Sequence, residues 1–410
     1  MKKIITFIIT IVSLSNILAQ EDSVNMTGGY ALDVFYSLED GAVQTVANNE
    51  WTVALSTTAT SSQVLLNDGR GAELYKLANN ISDFTSINAS DTNGMQSWTA
   101  LHNNFENWEQ SAFESGATGH PNYGWGNYTG SPLHNLLGDK VFILKTLNNV
   151  YYKVMPVLQS HGEWTYRYAT LNNSFDTTIV YQASDLQDRN FVYLNMDNHT
   201  VLNREPSNTD WDLLFTKYFS INADYSVMGI LSNKGVEVLQ IDGVNHPDAT
   251  HVNGTFSEAT NEIGYDWKEF NGTSFDLIVD RTYFVKQLTG EIYKMYFTRF
   301  DGSSTGKTVF NKELVGVSRI NDNNEILKAI SIFPNPAKSF AHIIFDSNSK
   351  ISIDITIYNI VGKTISTQKA DITSGLNDIK LDVNNLHKGI YLVKIQYGNN
   401  TQTLKLNVSK

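Results

Sequence analysis

Imidazole can ligate a metal or move a proton near neutral pH and a thioether can ligate a soft metal, and in this sequence these groups are scattered. His102, His120, His134 and His161 fall in the first half, and His199, His246 and His251 in the second, with Met228 and Met295 nearby in sequence. No HExxH, no helically spaced histidine pair and no cysteine cluster exists, since the chain has no cysteine, so no local motif encodes a zinc-type site. The run NDNNE (Asn321 to Glu325) offers oxygen ligands without the spacing of a calcium loop. Nucleophilic and phosphate chemistry fare no better. There is no GxSxG, Walker loop or dinucleotide fingerprint, and DGRG (Asp68 to Gly71) is two glycines in a turn. None of the 42 carboxylates is marked by spacing as an acid and base pair. The expectation is a protein that binds rather than converts, with no catalytic residue and no metal site.

The elements that would position these groups read as strands. Twenty Tyr, 20 Phe and 7 Trp in 410 residues favour pleated, half-buried surfaces, and the length predicts several domains. An all-β class follows. The first twenty residues place Lys2 and Lys3 before an apolar run from Ile4 to about Leu18, the pattern of a secretory signal peptide; with it removed, no segment is long enough to span a membrane. An exported chain without cysteine is held by its cores alone. Residues 328–410 carry a net charge of +5 and residues 1–327 carry −17, and an acidic body of this kind is a poor partner for nucleic acid.

The body repeats itself. DKVFILKTLNNVYYKV (Asp139 to Val154) returns as DRTYFVKQLTGEIYKM (Asp280 to Met295), and YGWGNYTG (Tyr123 to Gly130) returns as YDWKEFNG (Tyr265 to Gly272). Upstream, a stretch beginning at Tyr36 and one beginning at Tyr193 each lead to a Trp strand, EWTVALS (Glu50 to Ser56) and DWDLLFT (Asp210 to Thr216). Each Trp strand is followed by a strand ending in Asn and Gly, VLLNDGRG and GILSNKG. Alternation of apolar and polar positions supports strands at each place, with LNN and LTG as tight connections. The spacing predicts two tandem β units, 21–172 and 173–320. An insertion in the first, about Ser82 to Pro121, carries Trp98, Phe105, Trp108 and Phe113, and WTALHNNFENWEQSAF within it has helical spacing.

After a linker at 321–327, residues 328–410 read as a small β-sandwich. This segment resembles the type A C-terminal sorting domain of the Bacteroidetes type IX secretion system. The resemblance rests on Pro334, Asn335 and Pro336, on Gly362 and Lys363 of IYNIVGK, and on Gly389 and Tyr391 of LHKGIYLVKI. It implies passage through that secretion machinery, usually with removal of the domain, and a secreted or cell-surface location. The body resembles the HmuY family of extracellular haem-binding β-proteins through its Trp strands, the Asn and Gly turns, WGNY and WKEF, and the repeated hairpin. That resemblance implies haem as a ligand, held by His or Met in an apolar slot. His102, in the aromatic insertion, and His134, in the turn entering the first hairpin, are the first pair for that role. Phe275 or Asp276 stands where a second His134 would align. Another small apolar ligand would suit the same slot, and the competing expectation is a surface protein that binds glycan or protein partners, or is only structural, with no haem at all.

Overall fold

The computed structural model describes residues 20–58, 61–130, 133–182, 186, 188–317, 327–347, 349–360, 362–398 and 400–409. Of the expected signal peptide, 1–20, residues 1–19 lie outside them, and of the expected linker, 321–327, residues 321–326. Up to Val317 the strands are β1 (Gln20–Asn25), β2 (Leu32–Ser37), β3 (Gly41–Ala47), β4 (Val53–Ser56), β5 (Val64–Leu66), β6 (Glu73–Asn80), β7 (Gly126–Tyr128) and β8 (Leu136–Gly138). They continue with β9 (Lys140–Lys145), β10 (Tyr151–Ser160), β11 (Glu163–Thr170), β12 (Asp176–Gln182), β13 (Phe191–Asn195), β14 (Thr200–Leu202) and β15 (Leu213–Ser220). The last are β16 (Tyr225–Ser232), β17 (Glu237–Ile241), β18 (Lys268–Phe270), β19 (Phe275–Leu277), β20 (Thr282–Lys286), β21 (Glu291–Phe300) and β22 (Lys307–Val317). Described helices are short 3-10 turns, and the class is all-β.

The two copies of the repeated sequence form matching hairpins. β9 pairs with β10 across a turn closed by Thr146 N–H donating to the Val150 carbonyl, and β20 pairs with β21 across one closed by Gln287 N–H and the Glu291 carbonyl. Each turn needs one left-handed residue, supplied by Asn149 (φ 61°) and by Gly290 (φ 92°), the two residue types that tolerate that region best. A bulge follows at the same place in both long strands, after Pro156 and after Phe297.

Beyond the hairpins the pairing order is also the same. One sheet runs β12-β11-β10-β9-β6, with β8 and β7 attached through β10, and its counterpart runs β1-β22-β21-β20-β17. The Trp strands sit in two smaller sheets, β14-β13-β4-β5 and β16-β15-β2-β3. Each Trp strand therefore pairs with the hairpin that precedes the other Trp strand in sequence. Val53 lies opposite Leu194, and Leu213 opposite Tyr36. Leu194 thus takes the place of Tyr36, one residue beyond the Tyr193 that the sequence match suggested.

Two apolar cores result. The first runs from Val53 to Met196 without a break in chain order, while the second gathers Val24, Met26, Val34, Tyr36 and Leu38 together with residues from Leu213 to Phe310. We call these the first and second lobes. A third cluster, including Phe35, Trp108, Tyr193, Trp211 and Tyr218, lies between them. The expected boundary at 172/173 falls in the turn between β11 and β12.

The Asn of each Asn–Gly turn locks a Trp strand in place. Buried Asn67 donates its side-chain amide to the carbonyls of Asn48 and Trp51 (2.8 and 2.9 Å), and buried Asn233 donates to those of Asn208 and Trp211 (2.7 Å each). Buried carbonyls need donors, so neither Asn is free to vary by apolar replacement.

The helix expected across 98–113 does not form. Residues 95–97 and 112–114 make 3-10 turns and the stretch between is irregular, because its aromatic residues are drawn to different neighbours. Trp108 donates its indole N–H to the Ser232 carbonyl between the lobes, Phe113 enters the first core, and Trp98 packs on Tyr75.

The C-terminal segment has β23 (Leu327–Phe333), β24 (Phe340–Ser347), β25 (Ile351–Asn359), β26 (Thr364–Ile372), β27 (Gly375–Asp382), β28 (Gly389–Tyr397) and β29 (Asn400–Val408). Sheets β23-β24-β27 and β26-β25-β28-β29 face each other across a core drawn only from residues 327–408.

Candidate functional site

Trp125 and Trp267 stand at the centres of the two lobes, both buried, each accepting a backbone N–H at its carbonyl, from Asp139 and from Ile278 respectively. The strand pair that comes after each Trp differs between the lobes. In the first lobe β7 and β8 lie on the main sheet through β10, leaving no room for a side chain. A Cβ on Gly126 would come within 2.4 Å of the Leu137 carbonyl, and one on Gly138 within 1.9 Å of the Pro156 carbonyl. In the second lobe β18 and β19 form a separate two-stranded sheet, and Lys268 stands where the first lobe has Gly126. A cleft of about 630 Å³ opens between this hairpin, β16 and the turn at Tyr30.

Lys268 forms part of the wall. Its ammonium donates to the carbonyls of Met228 (3.0 Å) and Tyr265 (3.1 Å) and lies 4.0 Å from the Trp267 ring centroid and 4.8 Å from that of Phe300. Burial pushes its pKa down to about 7, with Asp266 opposing. Arg281 at the other side is ion-paired to Asp242 (2.6 Å) and Asp266 (3.1 Å), which fixes it in place. Tyr225 and Phe270 on the rim are 60% and 62% exposed. The site therefore offers aromatic faces to solvent beside charged groups that line the same cleft. Aligning WGNY with WKEF sets Gly126 against Lys268, so the difference between the lobes is marked in the sequence.

The expected pair of histidines lies elsewhere. The His102 ring stacks flat on Phe219 (3.5 Å, 9°) and its Nδ1 is 3.5 Å from the buried Asp68 carboxylate. His134, in a left-handed turn, hydrogen-bonds the Tyr128 hydroxyl and lies 3.7 Å from Asp378 of the C-terminal segment. The two share none of these neighbours, and no histidine lines the cleft. Among the described residues no group of three His, Cys, Asp or Glu is arranged to hold a metal ion.

The tail residues expected to carry the sorting signal hold its sheets together. Asn335 donates to the Lys405 carbonyl (2.8 Å) and accepts from Asn407 N–H (2.7 Å), tying the Pro334-Asn335-Pro336 opening to β29. Gly362 (φ 80°) and Lys363 close the β25–β26 turn onto Asn359. Gly389 begins β28 opposite Val408, and the Tyr391 hydroxyl donates to the His387 carbonyl (2.9 Å). The tail also touches the first lobe, where Phe333 packs against His120 (4.1 Å) and Tyr128 (5.9 Å).

Residues 331–409 match the family described as the secretion system C-terminal sorting domain. The chain thus carries a type IX sorting domain, which places it among the secreted and cell-surface proteins of Bacteroidetes and makes the type IX machinery its partner during export. No helix among the described residues is long and apolar enough to cross a membrane. No curated protein matches the chain. Among solved structures, dimeric latent PorU from Porphyromonas gingivalis aligns at 10% identity and a TM-score of 0.19, over 82% of this chain and 34% of that one, too loosely to define a shared fold.

Proposed function

We propose that the exported body is a non-enzymatic binding protein and that it holds a surface glycan in the cleft of the second lobe. The observation that carries this reading is the pair of exposed rings, Tyr225 and Phe270, in a cleft also lined by Arg281, Asp266 and Glu269. A sugar ring presents C–H edges that suit an aromatic face, and its hydroxyls need the donors and acceptors that Arg281, Asp266 and Glu269 bring to the same cleft. Haem, implied by the HmuY-like framework, would find aromatic walls here too. Of the axial ligand types that family uses, the cleft wall supplies Met228 but no histidine.

The test is binding of the purified full chain to a panel of bacterial and host oligosaccharides, with Tyr225→Ala and Phe270→Ala as variants. A saturable glycan signal weakened about tenfold or more by either variant supports the proposal, as expected for loss of an aromatic anchor. A saturable Soret shift with haemin that is lost in His102→Ala or His134→Ala, with no glycan bound, overturns it in favour of haem. Release of a modified sugar on prolonged incubation would overturn the non-enzymatic part.

A further inference from the structure

We infer that residues 20–47 act as a strap that seats in an acceptor formed by β15 and β22 of the second lobe, and that the cleft is complete only while the strap is seated. The second half of this inference rests on the proposed glycan cleft; the first half does not.

The strap supplies what the second lobe lacks. β1 pairs with β22 over six positions from Gln20↔Lys312 to Asn25↔Lys307, and β2 pairs with β15 over three. Val24, Met26, Val34, Tyr36 and Leu38 are buried in a core whose other members begin at Leu213. Two polar pins fix the register on the second lobe: Lys312 is 3.3 Å from the Asp22 carboxylate, which also accepts the Tyr36 hydroxyl within the strap (2.6 Å), and Leu38 N–H donates to Asp212 (2.7 Å). Between β1 and β2 the chain turns at Gly28–Tyr30, and there Tyr30 stacks on Phe300 (6.2 Å, 10°) and forms one wall of the cleft. Remove the strap and the cleft loses that wall, while β15 and β22 become open strand edges above an apolar socket.

The chain makes the strap separable. In the first lobe β12 follows its partner β11 after the short turn 171–175, whereas residues 26–306 separate β1 from its partner β22; the hairpin gaps are more alike, residues 57–190 between β4 and β13 and 48–212 between β3 and β15. The joint is short and partly exposed. Asn48 is buried, anchored to Ala31 and Tyr30 within the strap and to Asn67 of the first lobe, but Asn49 and Glu50 face solvent.

The experiment places a protease site between Asn49 and Glu50 of the full chain, which is folded first and cut afterwards. The expected result is that the strap fragment stays with the body through gel filtration and leaves in mild denaturant. Its departure should cost hydrogen-exchange protection in β15, β16 and β22 but not in β10 and β11. Added isotope-labelled 20–49 peptide should then re-enter and restore that protection, and glycan affinity should fall about tenfold or more without the strap and return with it. Release of the strap with second-lobe protection unchanged would overturn the inference, as would loss of protection in both lobes together or failure of the peptide to rebind. If the strap exchanges as expected but no form binds glycan, the cleft reading falls and completion of the cleft with it. If strap-free and strap-bound forms bind glycan equally, completion alone falls.

Discussion

The first lobe closes on itself and the second does not. Both use the same order of strands around a buried Trp, but the first lobe's core is continuous from Val53 to Met196, whereas the second must recruit Val24 to Leu38 across the whole of the first. By loop-closure entropy alone, bringing β1 to β22 across about 280 residues, where β12 reaches β11 across about five, costs on the order of 3–4 kcal/mol more. The first lobe also fills its site with backbone at Gly126 and Gly138, where the second leaves a cleft beside Lys268. One framework has therefore been used twice, once as packed structure and once, on our proposal, as a binding site.

The sharpest way to break this comparison is to hollow out each centre. Trp125→Ala and Trp267→Ala should each cost about 3–5 kcal/mol. In urea unfolding followed by hydrogen exchange, each loss should be confined to its own lobe. If either substitution melts both lobes equally, the division into two cores is wrong. Next in size, Asn67→Ala and Asn233→Ala each strand one buried and one part-buried carbonyl, and about 1–3 kcal/mol should be lost in each lobe, measured the same way.

The lobes should also respond oppositely to pH. Lys268 has its pKa depressed by burial from 10.5 to about 7, so between those values the unfolded chain holds more protons and second-lobe stability rises with pH. Glu205, which accepts the N–H groups of Asn190 and Phe191 at the first lobe, is raised by burial from 4.5 to about 7. In that window the folded state holds more protons, so first-lobe stability falls as pH rises. Comparing the parent with Lys268→Met and with Glu205→Gln should remove the rise and the fall respectively; unchanged pH profiles would contradict these assignments.

The smallest expected effect separates the two Trp residues. The Trp125 indole N–H donates to the Ser62 carbonyl (2.8 Å), while that of Trp267 has no partner among the described residues. Trp125→Phe should therefore cost about 1 kcal/mol more than Trp267→Phe in equilibrium unfolding.

Much of the strand framework was legible because hairpins are local. Asp139 to Val154 and Asp280 to Met295 carry their own alternation and turn residues, and the tail carries its own motifs. The exchange of β2–β3 and β13–β14 between Trp strands was not legible, since either pairing satisfies the same alternation and only packing chooses between them. The 98–113 stretch was misread because helical spacing of aromatics is also produced by residues that scatter to three separate neighbours. Lys268 looked like any polar strand residue, as nothing local reports that an ammonium is enclosed by Trp267 and Phe300.

The pairing of β1 with β22 also has a mechanical consequence. Because the strands are antiparallel and Gln20 lies opposite Lys312, the chain enters and leaves the sheet at the same end. A pull between the N-terminal end and the tail would peel this ladder open one rung at a time instead of shearing all six together. A molecule hauled by its tail while its front end is held would thus yield first at the strap, leaving the first lobe intact.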